Sequence, residues 1–173
     1  MEQLEREYAS ARVVLLPRLV SSDHAAMLLD STKDVPRRRA TCGGEVSWDE
    51  QQFGSSHVTH RLFARPELMA LARMLTGLER IDLKSCWASS YRVGEFINSH
   101  RDGEGRIQLL ICLQAPQDRE NGGALIVDGR EIVLAPGDGM AFQATGLDHH
   151  TTPLVATESN KHPQRAVLVA RYN

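Results

Sequence analysis

A chain of 173 residues has room for one domain, and at this length roughly two-thirds of the unfolded surface is buried on folding, so no staples are needed. Lys and Arg number 20 against 22 Asp and Glu, a formal net charge of −2 that gives no bulk attraction to DNA, RNA or an anionic membrane. No apolar run approaches the ~18 residues of a membrane span, the acidic opening MEQLEREYAS does not read as a signal peptide, and Cys42, Cys86 and Cys112 show no CxxC spacing. Membrane, secreted and fibrous classes are therefore excluded, and reduced thiols in a cytoplasm are expected rather than a disulfide framework or a thiolate zinc site.

In chain order, Ser21 or Ser22 caps a short helix over 23–29, with Asp23 in the first turn where the helix dipole favours an acid. A polar, turn-rich stretch over 36–56, holding Gly43, Gly44, Trp48 and Gly54, reads as a surface loop that could form a lid. Its Arg37-Arg38-Arg39 run reads as a solvated face or an anchor for an acidic substrate group. A clearer helix covers 66–75: Pro66 opens it, Gly77 lies just past its end, and Leu68, Leu71, Ala72 and Leu75 form an apolar stripe. From about residue 81 the texture is β, in short runs: SCWASSYRV, IQLLICLQ, ALIV, REIVL, MAFQ and RAVLVARY. Asp128-Gly129 between two of them is a two-residue hairpin signal, and Pro136-Gly137-Asp138-Gly139 marks another turn. Seven or eight such strands imply an antiparallel sandwich or barrel, so residues 1–173 read as one α+β domain. Helical support over about 1–80 braces a β-sandwich over about 81–173.

The chemistry concentrates around the histidines. His24, His57, His60 and His162 need no role beyond solvation or local hydrogen bonding. His100-Arg101-Asp102 is an H-x-D placed at the end of a predicted strand, where residues two apart share a face. His149-His150 follows the MAFQ strand, and alternation lets either imidazole face inward but not both. Two imidazoles and one carboxylate on one face of a metal form the ligand set of non-haem Fe(II) oxygenases.

The run Tyr91-Arg92-Val93-Gly94-Glu95-Phe96-Ile97-Asn98-Ser99-His100-Arg101-Asp102 resembles the Y-x-x-G-x-(F/Y)-x-x-x-H-x-D signature of the Fe(II)/2-oxoglutarate-dependent dioxygenases, in particular their prolyl-hydroxylase-like branch. Gly122-Gly123-Ala124-Leu125, the segment from Pro136 to Phe142, and His149-His150-Thr151-Thr152-Pro153-Leu154 resemble later motifs of that family, in order, and Arg165 stands in a final strand where the family keeps an arginine. The resemblance covers roughly residues 86–172. It implies a double-stranded β-helix, the jelly-roll or cupin-like antiparallel sandwich.

The same resemblance implies the site. His100, Asp102 and His149 hold Fe(II), with His149 chosen over His150 by its distance from Pro153. Arg165 clamps the distal carboxylate of the cosubstrate 2-oxoglutarate, although the segment before it, 156–164, is longer than the family usually has. A guanidinium suits that task because its planar fork matches a carboxylate and keeps its charge. Arg165, Val167, Val169 and Arg171 share one strand face, with Arg165 at the pocket mouth and Arg171 at the far end. Tyr91 matches a tyrosine that contacts 2-oxoglutarate, Gln108 and Cys112 occupy a face where the family places polar cosubstrate contacts, and Asn98 shares a face with the ligands and could meet substrate. With O₂ as the other cosubstrate, the implied reaction is hydroxylation of an unactivated C–H with release of succinate and CO₂. Asp102 argues for hydroxylation over halogenation, since related halogenases lack that carboxylate.

The substrate is expected to be a small molecule such as an amino acid or natural-product intermediate, with a peptidyl residue as the alternative and no nucleic-acid or membrane partner. A cupin-like module using the same ligands for Zn²⁺ or Ni²⁺ without catalysis is the rival reading. Metal-assisted hydrolysis ranks last because no extra general base stands near the ligands.

Overall fold

The computed structural model describes residues 2–42 and 46–173. Along the chain come α1 (Glu2–Ala11), β1 (Val13–Leu16), α2 (Ser22–Ser31), β2 (Arg38–Cys42), β3 (Val46–Gln52), α3 (Val58–Phe63), α4 (Pro66–Thr76), β4 (Leu83–Tyr91) and β5 (Ile107–Gln114). Then follow β6 (Leu125–Val127), β7 (Arg130–Ile132), β8 (Gly139–Phe142), β9 (His149–Thr151) and β10 (Arg165–Tyr172). The strands form a seven-stranded sheet, ordered β1-β8-β5-β10-β4-β3-β2, and a three-stranded sheet, β7-β6-β9. Every pairing is antiparallel.

The central strands β5 and β10 read as near-continuous apolar runs because both their faces are covered. Ile107, Leu109, Ile111 and Leu113 of β5, with Ala166, Leu168, Ala170 and Tyr172 of β10, pack in one core with Leu28 of α2 and Leu68, Ala72 and Leu75 of α4. The alternate residues Leu110, Val167 and Val169 face Leu125, Val127 and Ile132 of the small sheet. Period-two alternation thus divides one pair of strands between a helix-backed core and the space between the sheets.

Local signals act where the sequence placed them. Ser21 caps α2, its side chain accepting from the His24 amide at 3.1 Å. Pro66 opens α4, and Gly77 ends it in the left-handed conformation at φ +69°. Asp128 and Gly129, at φ 49° and 74°, make the tight turn between β6 and β7.

The first half carries more than helices. Three strands come from it, and the stretch expected as a loop contains two of them: β2 and β3 pair with each other, and β3 pairs with β4 and extends the large sheet. Its cross-strand neighbours are charges rather than apolar alternation. Arg39 reaches Asp49 at 2.7 Å, Arg38 reaches Glu50 at 2.9 Å, and Asp49 also receives Arg92 at 2.7 Å and Arg37 at 3.7 Å. The arginine run is therefore paired with acids, Asp49 and Glu50 of its own hairpin and also Glu95, which Arg39 reaches at 2.6 Å. Trp48 is a β3 residue, while Gly43 and Gly44, named for the lid, lie outside the described residues.

Between the short 3₁₀ turn (Arg119–Asn121) and β6, Gly122 adopts φ 69°, ψ −148°, a region open essentially to glycine. A Cβ there would lie 2.0 Å from the Pro153 carbonyl oxygen. Gly122→Ala should therefore cost about 3 kcal/mol and lower the thermal midpoint by roughly 6–12 °C. An unchanged midpoint in thermal denaturation would contradict this close approach.

Candidate metal centre and its cavity

Between the sheets lies a cavity of about 170 Å³. Strand register decides which side chains enter it. Arg165, Val167, Val169 and Arg171 of β10 lie opposite Tyr91, Ser89, Trp87 and Ser85 of β4, and Glu50 of β3 lies opposite Ser89. Apart from Ser85, all of these line the cavity, together with Trp48 and Gln108.

The histidines enter from the opposite side. β4 ends at Tyr91, so His100 does not close a regular strand; it makes an isolated antiparallel bridge with His149. Two backbone hydrogen bonds of 3.1 and 2.9 Å fix that bridge, and the Asp102 amide donates to the Ala144 carbonyl at 3.0 Å. His100 Nε2 then lies 3.7 Å and His149 Nε2 4.0 Å from Asp102 Oδ1. One ligand atom from each residue falls within 4.8 Å of the others. His149 is buried and His150 only half-buried, which settles the choice that alternation left open.

Each imidazole is oriented by its other nitrogen. His100 Nδ1–H donates to the Asn98 carbonyl at 2.8 Å and His149 Nδ1–H to the Leu147 carbonyl at 3.1 Å. A carbonyl only accepts, so in the neutral rings both Nε2 lone pairs point toward the carboxylate. Oδ1 and the two Nε2 atoms converge with no donor between them among the described residues, since Arg171 lies against Oδ2 instead at 2.9 Å. A cation placed among the three would relieve their repulsion. Burial, reinforced by the neighbouring His100, lowers the pKa of His149 below its ordinary 6.5 and disfavours a proton in that role. The donor set fits a divalent ion.

That depression has a stability consequence. Below about pH 6.5 the unfolded chain binds a proton at His149 that the folded one resists, so stability is full above this pH and falls as the pH drops. Melts of metal-free protein between about pH 8 and 5 should show the decline, and His149→Gln should flatten it.

Arg165 is 7% exposed, with its guanidinium 4.9 Å from the centroid of the Tyr91 ring. Its Nη1 is buried and finds no hydrogen-bond partner among the described residues. Tyr91 is fully enclosed, and burial raises its pKa, so the phenol keeps its proton. The extended segment 156–164 does not disturb the register, since Arg165 still pairs with Tyr91. Gln108 faces the cavity beside Arg171, whose Nη2 it accepts at 3.4 Å, rather than beside Arg165. Cys112 looks into a neighbouring pocket, its thiol pushed up to about 11 by burial. Asn98 departs from its expected role: its side chain donates to the Cys42 carbonyl at 3.2 Å and does not line the cavity, while its own carbonyl orients His100.

Arg171 is the residue that sequence reasoning left without a role. Its Nη2 lies 2.9 Å from Asp102 Oδ2, and its Nη1 lies 3.5 Å from Glu104. Two arginines thus occupy opposite ends of one strand face, about 20 Å apart along an extended chain. The alternation in RAVLVAR carried that signal; what it lacked was the position of Asp102.

No protein-family model matches this chain, and no curated protein matches it. Solved structures do. An oxidoreductase of the 2OG-Fe(II) oxygenase family from Burkholderia pseudomallei superimposes with a TM-score of 0.82 at 15% identity, over 99% of this chain and 90% of the other. The fold is that of the 2OG-Fe(II) oxygenases. A Pseudomonas putida prolyl-4-hydroxylase aligns at TM-score 0.75 and 16% identity, covering 99% of this chain and 98% of its own. HygX from Streptomyces hygroscopicus, solved with nickel, 2-oxoglutarate and hygromycin B bound, aligns at 0.80 and 12% identity over 100% of this chain and 87% of its own. The double-stranded β-helix expected from the sequence motifs is therefore present. Among the described residues, no helix is long and apolar enough to cross a membrane.

Proposed function

We propose that this protein is an Fe(II)- and 2-oxoglutarate-dependent oxygenase that hydroxylates an unactivated C–H of a small molecule, releasing succinate and CO₂. The observation that carries the reading is the convergence of His100, Asp102 and His149 ligand atoms within 4.8 Å, inside the cavity that also holds Arg165. These three residues hold the iron, and Arg165 takes the distal carboxylate of 2-oxoglutarate with its unpartnered guanidinium nitrogen. Tyr91 supports the guanidinium through its ring face, and Arg171 holds the Asp102 carboxylate in place. Bound iron and 2-oxoglutarate together supply O₂ activation by oxidative decarboxylation, and the apolar walls Leu110, Leu125, Phe142 and Val169 exclude water from it.

A cavity of about 170 Å³ supports a small substrate. Likeness to a prolyl-4-hydroxylase supports a peptidyl residue as the second reading. The net charge of −2 supports neither a nucleic-acid nor a membrane partner, and the unpaired buried thiols of Cys86 and Cys112 suit a cytoplasmic setting.

The test has two stages. Anaerobic addition of Fe(II) and 2-oxoglutarate should give a weak visible band, the charge transfer of a chelated 2-oxo acid. Its absence would favour a metal-binding module instead. Succinate release is then screened against amino acids, small amines and peptides; stimulation by peptides alone would select the peptidyl reading.

A further inference from the structure

The cavity holds one acid that the proposed reaction does not use. Glu50 lines it from β3, its side chain only 12% exposed, and Ser89 stands beside it on β4. Every other charge in the cavity has a partner in the proposed reading: Arg171 faces Asp102 at 2.9 Å, Asp102 faces the metal, and Arg165 faces the cosubstrate carboxylate. Among the described residues Glu50 is paired with Arg38, which reaches Oε2 at 2.9 Å from a side chain 66% exposed. An arginine held mostly in water gives up such a contact more readily than a buried one would, because water takes over its hydrogen bonds. A carboxylate in a confined, partly dry space is worth more to a cation that can enter.

A second, independent observation lies next to it. Trp48 is 6% exposed and lines the same cavity, yet its indole Nε1–H is buried with no hydrogen-bond partner among the described residues. An unpaired buried donor is costly, and a ligand acceptor would satisfy it. Trp87, on the adjoining strand, also lines the cavity, with the Arg171 guanidinium 5.1 Å from its ring centroid.

We infer that Glu50 is the specificity-determining residue of the site: it receives the protonated amine of the substrate, displacing Arg38, while the Trp48 N–H donates to a hydroxyl or carbonyl oxygen of the same molecule. The substrate class is then a small amine that carries an oxygen acceptor. This rests on the oxygenase reading for the assignment of the other charges, but not for the pairing itself.

The test is calorimetric titration, anaerobically with Fe(II) and 2-oxoglutarate present, of two matched pairs: glucosamine with N-acetylglucosamine, and 4-aminobutanol with butanediol. Each amine should bind at least tenfold more tightly than its neutral partner. Glu50→Gln should abolish the difference, with thermal melts checking its fold. Arg38→Ala should keep or tighten amine binding, because the competing guanidinium is gone. Equal affinity within each pair, no amine binding, or equal losses in both variants would overturn the inference; the last would mean that the Arg38–Glu50 pair only ties the hairpin together. Repeating the titration on metal-free protein separates the two readings. An amine preference without the visible band would remove the oxygenase reading alone, and the band without the preference would remove this one.

Discussion

Asp102→Ala should abolish succinate formation and weaken Fe(II) binding by at least about 100-fold, as judged by calorimetry and succinate release. The magnitude follows from the double duty of this carboxylate. Oδ1 lies within 4.0 Å of both imidazole Nε2 atoms, and Oδ2 lies 2.9 Å from Arg171. Without it the metal loses its only anionic protein ligand. Arg171, 17% exposed at its side chain, is left with the neutral Gln108 at 3.4 Å and with Glu104 at 3.5 Å, an acid half in solvent. Metal-free Asp102→Ala should therefore also be destabilised, by about 1–3 kcal/mol. Asp102→Asn keeps the shape and one oxygen donor but not the charge, so its metal affinity should fall between the two. Full turnover in the alanine variant would remove the three-residue centre from the reaction.

The three residues of the candidate metal centre were named from local signals, and the fold brings them together. His100 and Asp102 are two positions apart, and the family resemblance picked His149 by its distance from Pro153, so no long-range register is needed to name them. Arg165 was legible through its place in a final strand, and the register with Tyr91 absorbs the longer segment that precedes it. The hairpin β2–β3 was not legible. Its strands are specified by charge pairing across the ladder, Arg39 to Asp49 and Arg38 to Glu50, and a reading based on apolar alternation passes over such a pattern. Glu50 and Trp48 were missed as cavity residues for the same reason, since a segment read as a loop presents no inner face. Arg171 was placed on the correct strand face, but its role depends on where the irregular segment 92–106 delivers Asp102, and that is set by the His100–His149 bridge rather than by any local motif. Asn98 illustrates the converse error: two-residue spacing from His100 implies a shared face only in a regular strand, and this segment is not one.

Arg165→Met should separate folding from function in opposite directions. In the ligand-free protein Arg165 is 7% exposed and its Nη1 lacks a partner among the described residues, so folding carries an uncompensated desolvation cost at this position. Methionine fills similar space without that cost, while giving up a guanidinium–ring contact with Tyr91 worth about 0.5–2 kcal/mol. The variant should accordingly melt no lower than the unaltered protein. Its response to 2-oxoglutarate should differ sharply. Removing one partner of a buried, hydrogen-bonded charge pair costs roughly 2–5 kcal/mol, so affinity should fall by about 30-fold or more. The rise in melting temperature on adding 2-oxoglutarate with a divalent metal, worth about 2.7 kcal/mol at 100 times the dissociation constant, should then vanish at the same concentration. Arg165→Lys retains a charge without the planar fork and should recover only part of that affinity. Retention of 2-oxoglutarate binding in the methionine variant would show that the cosubstrate is anchored elsewhere, with Arg171, at the opposite end of the same strand face, the first residue to test.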